Sequence, residues 1–435
     1  MKNRNATCKK FDYIHLIPIL YCISIIVATF MRWMQYVNFL TVGCILFYIL
    51  REKEIKKSIL CGAWTIYIFL YPLMDCALRN KKGLSFDMAL CYLVPIGILL
   101  FGRLNTKDIQ TLFIFIKGFA LFQAFGIYLS KLVPSLYVAV TWRVLGAWYE
   151  TVCGFASDPT VTTNIIVMGI GVYATDLWVN PKKNKRINFS CLLLLLFAMI
   201  IAGKRSFLIA MGIAFILVFA AESIFNRKKL AIVIISLPSI LLAGIGSSLI
   251  WYKIFGANNA LGRMGATFIG ISSGEDVSSM RSTWAEYMRQ WRSGHEVFGI
   301  GWENFQTKIM ETPYGGRVPN GHCVYKQILC ETGYIGVSIF ILLVVVTIIL
   351  AVKNILFYKK IRDKQKLAFA MISTYMVIVF IVYAYFGNSI YDAFIYLYFF
   401  AAVSIVGTLR NSAKLFMKQI VICLLYTSDA ADDSL

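Results

Sequence analysis

The residues able to do chemistry gather in and beside one polar interval, Lys253 to Thr332, in a sequence otherwise made of apolar runs. The interval closes on Asn320-Gly321-His322-Cys323-Val324-Tyr325, followed by Glu331, Gly333 and Gly336. This pattern predicts a turn, a short helix with His322 in its first turn, a break at Gly333 and then a new apolar span. Backbone N–H groups and the dipole at a helix start disfavour a protonated imidazole, so His322 is expected to stay neutral near pH 7. A neutral imidazole can take a proton as a base; the plainer reading is a polar cap on a loop helix. The same side of the sequence supplies arginine: Arg143, Arg205, Arg281, Arg289, Arg292 and Arg317, with Lys204 next to Arg205. Guanidinium groups pair bidentately with phosphate and neutralise a diphosphate without a metal. No Asp-x-Asp pair precedes residue 423 to hold a divalent cation on a nucleotide-sugar diphosphate. The cysteines are scattered singly, without a CxxC pair or His/Cys ligand spacing, so neither a zinc site nor a disulfide framework is expected. The expectation is a site with no metal and no cofactor. A serine hydrolase is not expected either, since its nucleophile needs a strand-to-helix elbow with His and carboxylate partners.

Two further features of the interval have bland alternatives. Met280, Trp284, Tyr287, Met288 and Trp291 recur near helical spacing behind Glu275 and Asp276, which predicts an amphipathic helix over 277–291. Its apolar stripe is either a packing face or a sugar platform. Gly299-x-Gly301 reads as a turn, and Glu331 as a hydrogen-bonding partner at the helix break in preference to a catalytic acid.

The elements that must position these residues cross a membrane. The 435 residues are 59% hydrophobic and 15% charged, outside the range of a soluble domain of this size. The net charge of +21 does not indicate nucleic acid, because the basic residues sit in short clusters between apolar runs, where they report membrane topology. Spans of roughly 20 apolar residues fall at 13–30, 34–50, 58–76, 86–101, 109–130, 158–178, 189–202, 206–225, 230–252, 334–352, 367–386 and 393–409. The first run lacks a small-residue cleavage site and is expected to be a span and not a signal peptide. Basic clusters at 51–57, 180–186, 226–229 and 353–366 place those loops and both termini in the cytoplasm. The exception is Arg79-Asn80-Lys81-Lys82, which the map places outside; it is either a misplaced boundary or a basic rim for an anionic lipid-linked substrate.

The expected fold is therefore an all-α polytopic membrane protein of about twelve transmembrane helices with one long outer loop containing short helices. Residues 1–252 carry nine spans, 253–332 the extracytoplasmic loop and 333–422 the last three spans. Residues 423–435, beginning Cys423-Leu424-Leu425-Tyr426-Thr427-Ser428, resemble a translated sequencing adapter, and their Asp432-Asp433 pair is left out of any metal argument.

Ordered along the chain, these pieces resemble the bacterial O-antigen ligase and O-antigen polymerase superfamily. The resemblance rests on the hairpin Gly203-Lys204-Arg205-Ser206, Arg281-x-x-Trp284, Gly299-x-Gly301-x-x-x-Phe305, and the run His322, Tyr325, Leu329, Glu331, Gly333, Gly336, with Arg143 as an outer-loop arginine. Two positions depart from the family pattern: Lys204 replaces the usual Ser, and Asn320 precedes His322 by two residues. The resemblance implies a GT-C-like fold in the bacterial cytoplasmic membrane. It also implies metal-independent, inverting glycosyl transfer from an undecaprenyl-diphosphate-linked glycan, with His322 as base and Arg205, Arg281, Arg143 and Lys204 on the diphosphate. Asn320, Tyr325, Glu331, Gly333 and Gly336 would shape the motif. The partners implied are the lipid-linked donor, a glycan acceptor, the bilayer, and polysaccharide-export or chain-length proteins. The expected reaction polymerises O-antigen or capsular repeats. The alternatives are ligation of the glycan to lipid A-core and, in a different class, a non-enzymatic flippase for which Lys117 within a span would be suited.

Overall fold

The computed structural model describes residues 19, 22–23, 25–26, 58–70, 104–141, 153–156, 158–180, 184–257, 259–274, 281–302, 304–314, 321–387 and 393–432. All regular structure among them is helical. The chain runs α1 (Ile59–Thr65, continued by a π-helical turn Ile66–Leu70), α2 (Thr106–Leu132), α3 (Pro134–Thr141), α4 (Pro159–Val179), α5 (Lys185–Ala202), α6 (Arg205–Ser223) and α7 (Arg227–Phe255). It continues as α8 (Ala260–Ser272), α9 (Arg281–Arg292), α10 (Asn304–Met310), α11 (Val324–Lys360), α12 (Lys364–Phe386) and α13 (Ala393–Asp432). The expected spans at 34–50 and 86–101, nearly all of 13–30, and the basic stretch Arg79–Lys82 lie outside the described residues.

Local sequence fixes several starts. Asn105 and Asp108 form a reciprocal capping box at α2. Asp158 caps α4 ahead of Pro159 at its first position, while Asn226, Asn259 and Asp363 cap α7, α8 and α12. Among the described residues six helices are long and apolar enough to cross a membrane: α2, α4, α5, α6, α11 and α12. They coincide with six of the expected spans and make this an all-α, membrane-embedded protein; α7 and α13 are further long helices.

α12 lies at the centre, packed against α4, α6, α11 and α13 with nearly every residue from Leu367 to Phe380 buried. It runs antiparallel to α6, since Phe207 stacks on Tyr383 and Phe215 meets Tyr375. It is antiparallel to α11 as well, whose Tyr325 hydroxyl donates to Ile381 O at 2.9 Å. Gly171 on α4 lies against the Tyr375 ring so closely that a Cβ would not fit, and the Tyr375 hydroxyl donates to Val167 O at 3.0 Å. A buried aromatic ring thus fills the space that the missing side chain leaves.

The two ends of this bundle differ. One gathers the starts of α2, α5, α7 and α12 and the basic residues at these links, Lys185, Arg186, Arg227, Lys228 and Arg362. There Glu222, almost fully buried, pairs with Lys359 and accepts from Trp178 Nε1 at 2.9 Å, so a carboxylate inside the bundle has both charge and hydrogen-bond partners. The opposite end receives the α5–α6 hairpin, the return of α8 onto α7, and the loop helices α9 and α10. Gly265 lets α8 approach α7, and Gly262 the Gly256 carbonyl just after it, at a separation no side chain would permit.

Candidate active site

The helix break at Gly333 builds the floor of this end. Gly333 has φ 64° and ψ −163°, dividing α11 into a short half, Val324 to Thr332, and a long membrane half. A break leaves orphaned carbonyls behind it and orphaned N–H groups ahead of it, and both must be satisfied where water is scarce. The 296–301 turn serves both. Ile300 N donates to Cys330 O at 3.0 Å and Gly301 N to Glu331 O at 2.8 Å, while Tyr334 N and Ile335 N donate to Glu296 O and Val297 O at 2.9 and 3.2 Å. Gly299, at φ 73°, and Gly333 lie where any Cβ would strike the opposing backbone. Gly301, at φ 106°, likewise has its N–H committed to a carbonyl, so the Gly-x-Gly pattern is a helix-breaking clasp.

Glu331 is fully buried in this clasp, and its Oε1 accepts from Gln327 Nε2 at 3.1 Å and Phe305 N at 3.4 Å. Gln327 Oε1 in turn accepts from Gly321 N at 2.9 Å. The chain Glu331–Gln327–Gly321 therefore holds the backbone immediately before His322. Tyr325 anchors the short half to α12 and meets Phe340 edge-on, and Gly336 is buried in the membrane half. The stripe on α9 packs inward: Trp284 and Met288 are buried with Phe305, Ile309 and Cys330, which makes it a packing face.

His322 is not in the first helical turn. α11 begins at Val324 with Cys323 as N-cap, and His322 precedes it in the left-handed region at φ 53°. That conformation costs a non-glycine residue roughly 1–2 kcal/mol, and His is among the residue types that tolerate it best. The side chain is half-buried. Burial, then the cations Arg281 and Lys204, hold its imidazole below the ordinary pKa. The sequence reasoning reached a neutral imidazole through the helix start; the structure attributes the same direction to burial and two neighbouring positive charges.

Those neighbours arrive from distant elements. Gly203, at φ 77°, ends α5, and Lys204 is the N-cap of α6, so Lys204 and Arg205 crown the tightest hairpin of the bundle. Arg281 is the first residue of α9. Arg205 Nη1 donates to Thr267 Oγ1 and, at 3.4 Å, to Arg263 O, and both Arg281 and Arg263 lie near enough to act on its charge. Arg263 and Thr267 belong to α8, a helix not anticipated within the polar interval. Its legible signals are the Asn259 cap, the close-packing pair Gly262 and Gly265, and a single charged residue, Arg263, in a thirteen-residue run.

Other candidates do not join the cluster. Arg289 pairs with Glu286 at 2.8 Å on the exposed face of α9, holding that carboxyl below its usual range, and Arg292 lies over the Tyr334 ring at 5.5 Å. Arg143, Arg317 and Asn320 lie outside the described residues. Gly270-Ile271-Ser272-Ser273-Gly274 has the Gly-x-Ser-x-Gly spacing of a serine-nucleophile elbow, a motif the sequence was expected to lack. Ser272 instead ends α8, donating its Oγ to Ile269 O at 2.7 Å with no strand before it. Among the described residues no group of three His, Cys, Asp or Glu is arranged to hold a metal ion.

The assembled chemistry is one imidazole kept in its basic form and a set of cations, Lys204, Arg205, Arg263 and Arg281, at one end of a membrane bundle. Such a site can bind a multiply charged anion and take a proton beside it. No family model and no curated protein matches the chain.

Proposed function

We propose that this protein is a membrane glycosyltransferase that moves a glycan from a polyprenyl diphosphate to a sugar hydroxyl, polymerising surface-polysaccharide repeats outside the bacterial cytoplasmic membrane. The supporting observation is the convergence of His322 with Lys204 and Arg281, and of Arg205 with Arg281 and Arg263, from segments spread between residues 204 and 322. In this mechanism the neutral imidazole of His322 takes the proton of the acceptor hydroxyl as its oxygen bonds to the anomeric carbon. The bond from that carbon to the diphosphate oxygen breaks, and its electron pair leaves with the lipid diphosphate. Lys204, Arg205, Arg263 and Arg281 stabilise the charge on the departing group. One displacement from the opposite face inverts the anomeric centre. The cations take the role that a divalent ion has in nucleotide-sugar enzymes, so the reaction is metal-independent.

The test uses the purified chain with a polyprenyl-diphosphate-linked repeat unit in chelator, read by release of the lipid diphosphate and growth of a glycan ladder. A ladder in chelator is the expected result. Diphosphate release only when lipid A-core is supplied would make the protein a ligase. Absence of turnover with every lipid-linked donor, from protein that binds and transports it, would make it a flippase.

A further inference from the structure

A second site opens at the far end of the bundle from His322. A cavity of about 610 Å³ lies between α2, α4, α5 and α12. Its depth is apolar, formed by Phe113, Val172, Ala368, Phe369 and Ile372, and its rim includes Ile114, an apolar side chain 62% exposed. Its mouth is lined by five amides: Gln110, Asn180, Asn184, Asn188 and Gln365. These side chains make no hydrogen bond to the described residues, so ten polar atoms, half donors and half acceptors, are left to a ligand or to water.

The charges in the cavity narrow the ligand. Lys117 and Asp176 pair within the wall, with Lys117 Nζ 4.6 Å above the Tyr173 ring, and cancel each other. Lys364, at the start of α12, has no carboxylate partner among the described residues. Asn184 starts α5 in the left-handed region without a side-chain cap, so the first-turn N–H groups of α5, beside Asn188, have no side-chain acceptor among the described residues. The mouth therefore favours one negative charge and several hydroxyls, and the depth favours hydrocarbon.

From this lining we infer that the cavity binds a membrane lipid whose headgroup joins one phosphate to hydroxyl groups. The phosphate meets Lys364 and the first turn of α5, the amides hydrogen-bond the hydroxyls, and the chain leaves past Ile114. A glycerol-headed phospholipid and an isoprenyl phosphosugar share this chemistry. The site is separate from the His322 cluster, and the inference holds or fails independently of the transferase reading.

Native mass spectrometry of the purified full chain, given equal amounts of phosphatidylglycerol, phosphatidylcholine and an isoprenyl phosphoglucose, tests it. Retention of phosphatidylglycerol over phosphatidylcholine is expected. Gln110→Ala with Asn188→Ala, both at helical positions that accept alanine, removes two hydrogen bonds of ordinary strength and should lower that retention roughly tenfold at an unchanged melting temperature. Preferential retention of the phosphoglucose lipid, with the same sensitivity, would support the site and assign its source to the isoprenoid. Equal retention of the two phospholipids and the phosphoglucose lipid, or a folded double variant that binds like the parent, would overturn it. If the double variant does not fold, Lys364→Ala, at an exposed helix start, carries the same comparison.

Discussion

At the scale of single residues, the account rests on what the neighbours of His322 do to its proton. Burial first, then Arg281 and Lys204, oppose a positive charge on the half-buried ring, so its pKa lies below the ordinary imidazole value. The base is thus ready over a wider acid range than a solvated histidine would be. Below the ordinary imidazole pKa the unfolded chain binds a proton that the folded site resists, so the residue's contribution to stability is lost as pH falls toward its own lower pKa. Removing a cation should act in the opposite direction. Arg281→Gln is expected to raise the His322 pKa, moving the acid limb of the pH–turnover profile to higher pH while weakening donor binding. A profile that stays in place would separate Arg281 from the imidazole. His322 itself was legible as the histidine that ends a polar interval. Its left-handed backbone and the reason for its neutrality were not, because the burial of the ring and the cations at the starts of α6 and α9 come from elements that no local pattern joins to it.

At the scale of elements, the broken helix and its clasp decide where His322 stands. Gly333 was readable as a break because glycine interrupts a helix-to-span pattern, and Glu331 as a structural partner because an acid at such a break needs donors. That Gly299 and Gly301 complete the same break was not readable, since the hydrogen bonds join segments some thirty residues apart through backbone atoms whatever the side chain. Gly333→Ala would place a Cβ against the Val297 carbonyl in a left-handed conformation. It should lower stability by about 2 kcal/mol or more, visible as a fall in melting temperature with loss of turnover. Retention of both would mean that the clasp does not set the site. α8 escaped the sequence analysis for a related reason: it shares the interval with polar loops, and only its packing on α7 brings Arg263 to Arg205.

At the scale of the whole molecule, six of the expected spans stand as membrane-length helices, and the chemistry collects at the end opposite the basic links. Periodicity and loop charge made those helices legible because membrane spans carry their signal in a continuous apolar run. The proposal places the His322 end outside the cell membrane. A membrane-impermeant thiol reagent applied to intact cells should therefore label Ser293→Cys, on the exposed turn after α9, and should not label Lys228→Cys at the other end, above the background of native cysteines. The reverse pattern would invert the topology. The central claim, that this molecule transfers glycans with His322 as its base, is tested most directly by donor turnover with the His322→Asn variant. Asparagine accepts the left-handed backbone but cannot take the proton. With purified protein and lipid-linked donor, turnover should fall by the roughly 10² to 10⁴ that a positioned base contributes, with melting temperature preserved and the acid limb of the pH profile gone. A folded His322→Asn protein that turns over donor at the parent rate would contradict it.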